Sequence, residues 1–257
     1  MSAARRIGLI GHGAIAKALL QTIAPWHTQV EVVGIVRRTP GGTTIDELLQ
    51  QKPDLIVECA GHEALRTRGP QVLAAGIDLL IASTGALADA SIETALRDAA
   101  AGGKSRALLI AGAVGGLDAL AAARHAGLGE VLYVGRKPPG AWRGTAAEET
   151  VDLAQISSAT QIFEGSARQA SLRFPQNANV AAAIALAGVG FDKTRVQLFA
   201  DPGISGNLHR IEAQGAFGKF HIELAGIALP DNPRTSRLTV GSLARALADP
   251  GESIVFA

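Results

Sequence analysis

The sequence predicts an α/β fold in which a doubly wound parallel sheet is joined to a second α/β (α+β) domain with a mixed sheet. Three observations predict it. A strand, a glycine turn and a helix open the chain. Apolar strands and helices then alternate with short connections as far as Arg106, the pattern of a parallel sheet covered on both faces. Beyond that point strand-like runs crowd together, with fewer helices between them.

The opening stretch is Arg6-Ile7-Gly8-Leu9-Ile10-Gly11-His12-Gly13-Ala14-Ile15-Ala16. Ile7 to Ile10 is a short apolar run of buried-strand type, and Ala14 to Ile23 is helix-forming. Between them stands Gly11-x-Gly13-x-x-Ala16. Gly11 allows a sharp turn, Gly13 keeps side chains away from a pyrophosphate, and Ala16 lets helix and strand approach closely. The helix N-terminus then offers unpaired N–H groups and partial positive charge to phosphates. This is the context of a Rossmann dinucleotide site, with Gly11, Gly13 and Ala16 as its cofactor-binding residues.

The second strand is Val30 to Val36, and it runs into Arg37-Arg38-Thr39. Enzymes that prefer NAD usually carry an acid there for the ribose hydroxyls. Here no acid repels a 2′-phosphate, and the Arg37 and Arg38 guanidinium groups could hold one bidentately. NADP is therefore expected to be accepted, with NAD as the alternative cofactor. A helix follows from Thr44 to Gln51, then a strand from Leu55 to Ala60 and a helix from Gly61 to about Ala75. Ile77 to Ser83 is the next strand, and a helix begins at Ala88-Asp89 and reaches Ala101. Ligands of such sheets lie beyond the carboxyl ends of the strands. Cys59-Ala60-Gly61-His62 and Ser83-Thr84-Gly85-Ala86 both fall at that edge, where His62 is more naturally a helix-entry residue than a ligand.

After Arg106 come a strand from Ala107 to Gly112, the turn Ala113-Val114-Gly115-Gly116 and an alanine-rich helix to His125. Strands are expected at Glu130–Gly135, Ala159–Glu164, Arg195–Ala200, Leu208–Ala213 and Phe217–Leu224, with one helix inserted from Ala178 to Ala187. The last two strands read as a hairpin joined across Gln214-Gly215-Ala216. A final helix spans Ser236 to Leu247. The expected organisation is a dinucleotide-binding domain over 1–110, completed by the C-terminal helix in 234–257, and a catalytic and dimerisation domain over 111–233.

Bulk properties narrow the function. The 257 residues suffice for two modest domains, and 47% apolar content with 18% charged is globular. A net charge of +1 gives no reason to expect nucleic acid or a membrane surface as partner. The lone Cys59 excludes an internal disulfide and suits a reducing compartment; its apolar run makes it a small buried residue rather than a nucleophile. Arg5-Arg6 precedes an apolar stretch, but Gly11, His12 and Gly13 cut it too early for a signal peptide. No segment approaches the roughly twenty unbroken apolar residues of a membrane span. A cytoplasmic location is expected.

No histidine–acid pair shows ligand spacing with a second such pair nearby, so no metal is expected. Gly165-Ser166 and Gly241-Ser242 lack the flanks of a nucleophile elbow. General acid–base chemistry beside a nicotinamide remains, and histidine suits it at neutral pH. Two histidines lie on the expected hairpin, His209 and His221. By alternation Asn207, His209 and Ile211 share one face, with Leu208, Arg210 and Glu212 on the other. Sequence physics does not choose between the two histidines.

Several longer motifs go further. Phe163-Glu164-Gly165-Ser166-Ala167, Arg173-Phe174-Pro175-Gln176-Asn177-Ala178-Asn179-Val180-Ala181-Ala182 and Gly190-Phe191-Asp192-Lys193-Thr194-Arg195-Val196 resemble the L-aspartate dehydrogenase family. So do Asn207-Leu208-His209-Arg210-Ile211, Leu229-Pro230-Asp231-Asn232-Pro233, Arg136-Lys137-Pro138-Pro139 and Gly112-Ala113-Val114-Gly115-Gly116, so the likeness spans nearly the whole chain. The one departure is Arg37-Arg38, where some members carry an acid. The resemblance implies NAD(P)-dependent oxidation of L-aspartate to iminoaspartate, which hydrolyses to oxaloacetate and ammonia. It also implies a supply of iminoaspartate for NAD biosynthesis, or the reverse reductive amination of oxaloacetate. Carried onto matching positions, the resemblance implies that Ala113 and Asn179 contact the nicotinamide end, that His209 is catalytic, and that the protein is a homodimer.

The two carboxylates of aspartate need cationic or N–H partners. Lys137 is the expected cation, with the Ala113–Gly116 backbone as a second partner; the alternative is that a lysine before Pro-Pro marks an exposed loop. Two rival functions remain open. An imine reductase of dihydrodipicolinate-reductase type shares the architecture, but its histidine-rich motif and nearby lysine are absent. A non-catalytic NADP-binding sensor would bind cofactor without turnover.

Overall fold

A computed structural model describes residues 4–37, 42–175, 178–229 and 232–248. The chain divides into two compact units: Met1–Ser83 with Thr94–Ile110 and Val240–Ala257, and Thr84–Glu93 with Ala111–Thr239.

The first unit carries β1 (Arg5–Ile10), α1 (Ala14–Ile23), β2 (Val30–Val36), α2 (Ile45–Gln50), β3 (Leu55–Glu58), α3 (His62–Ala74) and β4 (Asp78–Ile81). The chain then passes through α4 (Ala90–Gly103) to β5 (Ala107–Leu109). The five strands are all parallel, in the order β2-β1-β3-β4-β5. Strand order therefore reverses between β1 and β3, the switch point at which doubly wound sheets bind their ligands. Ile7, Leu9, Ile10, Leu55, Ile56 and Val57 are fully buried, as strands covered on both faces require. Leu48 of α2 lies over the sheet where Gly8 and Gly34 are neighbours; a Cβ at either glycine would stand within 2.9 Å of its methyl groups.

Two expected boundaries move. The strand after Arg106 ends at Leu109 rather than Gly112, because Gly112 turns the chain with a φ of 71°. The helix expected at Ala88-Asp89 begins instead at Ala90, after a 3-10 turn over Thr84–Ala88. Asp89 stands just ahead of that helix, its carboxylate accepting from the Ser91 backbone and hydroxyl at 2.9 and 2.6 Å.

The second unit carries α5 (Leu117–His125), β6 (Leu128–Lys137), β7 (Thr160–Ser166), α6 (Ala167–Arg173), α7 (Asn179–Ala187), β8 (Arg195–Ala200), β9 (Asn207–Gly215), β10 (Gly218–Gly226), β11 (Ala228–Leu229) and β12 (Asn232–Ser236). Its main sheet has the order β10-β9-β6-β8-β7 and is mixed, because β6 and β8 run parallel while the other pairs are antiparallel. The inserted region holds two helices where one was expected. Ser166 and Gln169 form a reciprocal capping box that starts α6 directly after β7. The hairpin turns later than expected, since Gln214 and Gly215 pair with Lys219 and Gly218 and leave Ala216-Phe217 as its loop.

One face of this sheet is buried by the helices, with Val131, Tyr133, Val196, Leu198, Ile211 and Ala213 in its core. The chain ends its described part in α8 (Arg237–Leu247). That helix buries Val240, Leu243, Ala244 and Leu247, a single apolar stripe, and from Val240 onward it belongs to the first unit. Among the described residues no helix is long and apolar enough to cross a membrane.

Candidate functional site

The glycine turn has the form that its sequence suggests. Gly11 adopts a φ of 112°, where a side chain is strained, and a Cβ there would stand 3.0 Å from Ala60 and the Cys59 carbonyl carbon. Its N–H donates to the Val36 carbonyl at 2.9 Å, and the Cys59 N–H donates to Ile10 at 2.9 Å, so three strand ends meet around it. Gly13 is exposed and caps α1 with no side-chain hydrogen bond to the helix N-terminus. A Cβ there would meet nothing within 4 Å. The first N–H groups of α1 are thus uncapped by any side chain, and the backbone approach is open, which is the cradle a pyrophosphate needs. Ala16 is fully buried on the inner face of α1.

A residue that the sequence reading passed over organises the rest of this edge. Glu58 is fully buried at the end of β3 and accepts four hydrogen bonds. These come from the Ala60 and Gly61 backbone at 2.7 and 2.9 Å, and from the Ser83 backbone and hydroxyl at 3.1 and 3.0 Å. Burial pushes its carboxyl above the ordinary range, while the four donors pull the other way. The signal was legible: an acid inside an apolar strand run must find buried partners. Beside it, Cys59 is half-buried and its thiol is pushed up to about 12 by burial and by Glu58, which leaves it unreactive. Arg37 is exposed at the end of β2, Arg38 lies outside the described residues, and His62 is the first residue of α3.

In the second unit, the sheet separates the two hairpin histidines by burial. His209 is 2% exposed, whereas His221 points to the open side, opposite Glu212. Alternation puts Asn207, His209, Ile211 and Ala213 on the buried face of β9, and Tyr133, Gly135 and Lys137 on the same face of β6. Gly135 stands opposite His209 in the register. The His209 Nδ1 lies 2.8 Å from the Tyr133 hydroxyl, while its Nε2 is buried with no hydrogen-bond partner. The Asn207 Oδ1, two residues away on that face, is likewise buried and unpartnered. Burial and then the Lys137 cation lower the His209 pKa to about 3, so the ring is neutral at physiological pH.

Lys137 does not mark an exposed loop. It is 4% exposed at the end of β6, its ammonium 5.5 Å over the Trp142 ring. Its carbonyl accepts from the Asp201 N–H at 2.9 Å, and Arg136 beside it is paired with the buried Asp201 carboxylate, Nε to Oδ2 at 2.8 Å. Trp142 is itself anchored by its indole N–H on the Phe199 carbonyl at 3.1 Å. The cation therefore stands on a braced strand end.

Asn179 is the first residue of α7. Its side-chain oxygen accepts from the Gly85 N–H at 2.9 Å, and its carbonyl accepts from the Thr84 hydroxyl at 2.8 Å. With Oδ1 so engaged, the orientation of the amide is set and its NH2 is the donor end. Ala113 is buried between the turning Gly112 and Gly116 that lead into α5. The second unit thus brings together His209, Tyr133 and Lys137; Asn179 is fixed by the 3-10 turn of the same unit. Among the described residues no group of three or more His, Cys, Asp or Glu is placed to hold a metal.

Comparison with known proteins identifies relatives of the whole chain. The family profile described as "Aspartate dehydrogenase, C-terminal" matches residues 118–249, and "Homoserine dehydrogenase, NAD binding domain" matches residues 11–109. An L-aspartate dehydrogenase of Ruegeria pomeroyi is 46% identical over 97% of this chain and 94% of its own length. One of Pseudomonas aeruginosa is 43% identical over 96% and 98%. The crystal structure of an aspartate dehydrogenase from Thermotoga maritima superposes with a TM-score of 0.78 at 28% identity, covering 98% of this chain and 99% of that one.

Proposed function

The chain belongs to the aspartate dehydrogenase family, and from that premise we propose that it oxidises L-aspartate to iminoaspartate with NADP or NAD, or runs the reverse amination of oxaloacetate. The observation that carries this reading is His209: a buried, neutral imidazole with one ring nitrogen unpartnered, beside a buried lysine.

In this reading the first unit is the dinucleotide domain and the second the catalytic one. The uncapped N-terminus of α1, with Gly11, Gly13 and Ala16, holds the pyrophosphate. Arg37 and Arg38 meet a 2′-phosphate, and Ala113 with the Asn179 amide meets the nicotinamide end. When bound, the nicotinamide supplies the hydride acceptor. Lys137 takes one substrate carboxylate, its charge presented from the braced end of β6. The backbone of Ala113–Gly116 is the partner for the other.

His209 moves the proton. The substrate amine must lose a proton as its bond to Cα becomes an imine, and the ring accepts it at Nε2. Burial is the larger cause of the ring's depressed pKa and Lys137 the smaller; a carboxylate bound at Lys137 offsets the second, so His209 becomes a stronger base when substrate is present. Once it has passed that proton to solvent, the same nitrogen can take one from the water that attacks the imine carbon, and the amine leaves as ammonia with oxaloacetate remaining.

Iminoaspartate made in this way would feed NAD biosynthesis. A reducing cytoplasm suits the single unpaired Cys59. A homodimer is supported by the open face of the mixed sheet, where Leu132, Val134, Phe199 and Leu208 are only half-buried. The reading is tested with His209→Ala. Turnover of L-aspartate is expected to fall by at least about a hundredfold while cofactor affinity is kept; unchanged turnover removes His209 from the mechanism.

A further inference from the structure

We propose that Tyr133 is a positioning residue for His209: its hydroxyl oxygen accepts a hydrogen bond from Nδ1–H, which leaves Nε2 as the ring atom that exchanges a proton with the substrate. This rests on the reading of His209 as the acid–base residue and goes beyond it in naming what fixes the tautomer.

Tyr133, the chain's only tyrosine, is fully buried. Its hydroxyl stands 2.8 Å from Nδ1, and the two rings are stacked at 20° with centroids 6.0 Å apart. The room for that hydroxyl is made by Gly135, the residue opposite His209 on β6. A Cβ at Gly135 would lie 2.6 Å from the Tyr133 oxygen and 3.0 Å from its Cζ. The register, the missing side chain and the tyrosine thus converge on one ring nitrogen.

The chemistry of the ring gives this contact its consequence. A neutral imidazole has one N–H and one lone pair, and its neighbours select which nitrogen carries which. If Nδ1 carries the proton and donates to Tyr133, the lone pair is at the unpartnered Nε2 and can take a proton. Once it does, both nitrogens carry protons, and the hydroxyl still accepts from Nδ1. A hydroxyl serves both states without moving a charge into the core, and a carboxylate in its place would hold the ring protonated. Without the hydroxyl, the imidazolium would bury an unsatisfied N–H, which is costly.

The test is a double-mutant cycle on turnover of L-aspartate. Tyr133→Phe is expected to lower kcat by about tenfold or more, with the cofactor Kd within about twofold of the parent. Made on top of His209→Ala, it is expected to cost nothing further, because the residue through which it acts is gone. Gly135→Ala is expected to reproduce Tyr133→Phe, since it displaces the same hydroxyl. An equal loss from Tyr133→Phe in both backgrounds overturns the proposal and makes Tyr133 a packing residue. If His209→Ala itself keeps full turnover, the underlying reading of His209 has failed instead. A second measurement needs no variant. Nitrogen NMR of histidine-labelled protein, with cofactor and the unreactive dicarboxylate succinate bound, is expected to show His209 protonated at Nδ1. Protonation at Nε2 alone overturns the proposal.

Discussion

Glu58 and Ser83 are joined twice: the Ser83 hydroxyl donates to one carboxylate oxygen at 3.0 Å and its backbone N–H to the other at 3.1 Å. One buried side chain therefore ties the ends of β3 and β4, and its bonds to Ala60 and Gly61 hold the loop that abuts Gly11. Glu58→Ala strands several of these donors. At about 1–3 kcal/mol for each buried group left unpaired, it should destabilise the protein by at least about 3 kcal/mol. It should also weaken cofactor binding. Urea unfolding and a cofactor titration check both, and a folded variant with unchanged cofactor affinity would contradict the arrangement.

The two glycines of the turn predict opposite phenotypes. Gly11→Ala meets strain and crowding in the protein itself, so it should lower stability by about 1–3 kcal/mol. Gly13→Ala meets open space, so its melting temperature should stay near the parent's. Its methyl group would instead stand where the pyrophosphate approaches, and cofactor Kd should rise about tenfold or more, a loss of roughly 1.4 kcal/mol. Thermal melts and cofactor titrations of the two variants separate these effects.

His209 also predicts a pH dependence of stability. In the folded protein burial, and secondarily Lys137, holds its pKa at about 3, below the ordinary 6.5. The unfolded chain therefore binds a proton that the native state refuses. Stability should fall as pH drops below the ordinary value, by about 1.4 kcal/mol per pH unit, until the folded pKa is reached. His209→Gln removes this contribution. Denaturant unfolding of the two proteins at about pH 7 and about pH 5 should show a shallower loss in the variant; parallel losses would mean that the ring is not held neutral.

Arg37 bears on cofactor choice. Arg37→Asp should raise the KM for NADP by about tenfold while changing that for NAD much less, because a carboxylate repels a 2′-phosphate and suits ribose hydroxyls. Equal changes for both cofactors would assign Arg37 to a general role at the strand end.

Much of this was legible in the sequence, and the parts that were not have physical reasons. The β1–turn–α1 unit is written locally, in an apolar run followed by glycines, and α1 spans the same Ala14–Ile23 stretch that the pattern predicts. Strand β8 is likewise bounded as read, at Arg195 and Ala200. The alternation on β9 correctly put Asn207, His209 and Ile211 on one face. What alternation could not say is which face the helices cover, and that burial is what separates His209 from His221. Ser166 and Gln169 have the spacing of a capping box, but neither the elbow nor the family motif read at Gly165-Ser166 implies a helix there, and α6 is not expected from them. Tyr133 meets His209 across a register that joins residues 76 apart in sequence, and no local pattern carries that. The strand position of Lys137, too, depends on Trp142 and Asp201, which the adjoining Pro138-Pro139 does not disclose.

The most direct test of the account is the absorbance of reduced nicotinamide in the purified protein given L-aspartate, with NAD and NADP in turn. D-aspartate, L-glutamate and L-alanine serve as the comparison substrates. The account predicts reduction with L-aspartate alone: a buried Lys137 and a neutral His209 suit a short dicarboxylate carrying an amine, and the family's activity is on the L enantiomer. Cofactor that binds but is not reduced by L-aspartate would contradict it.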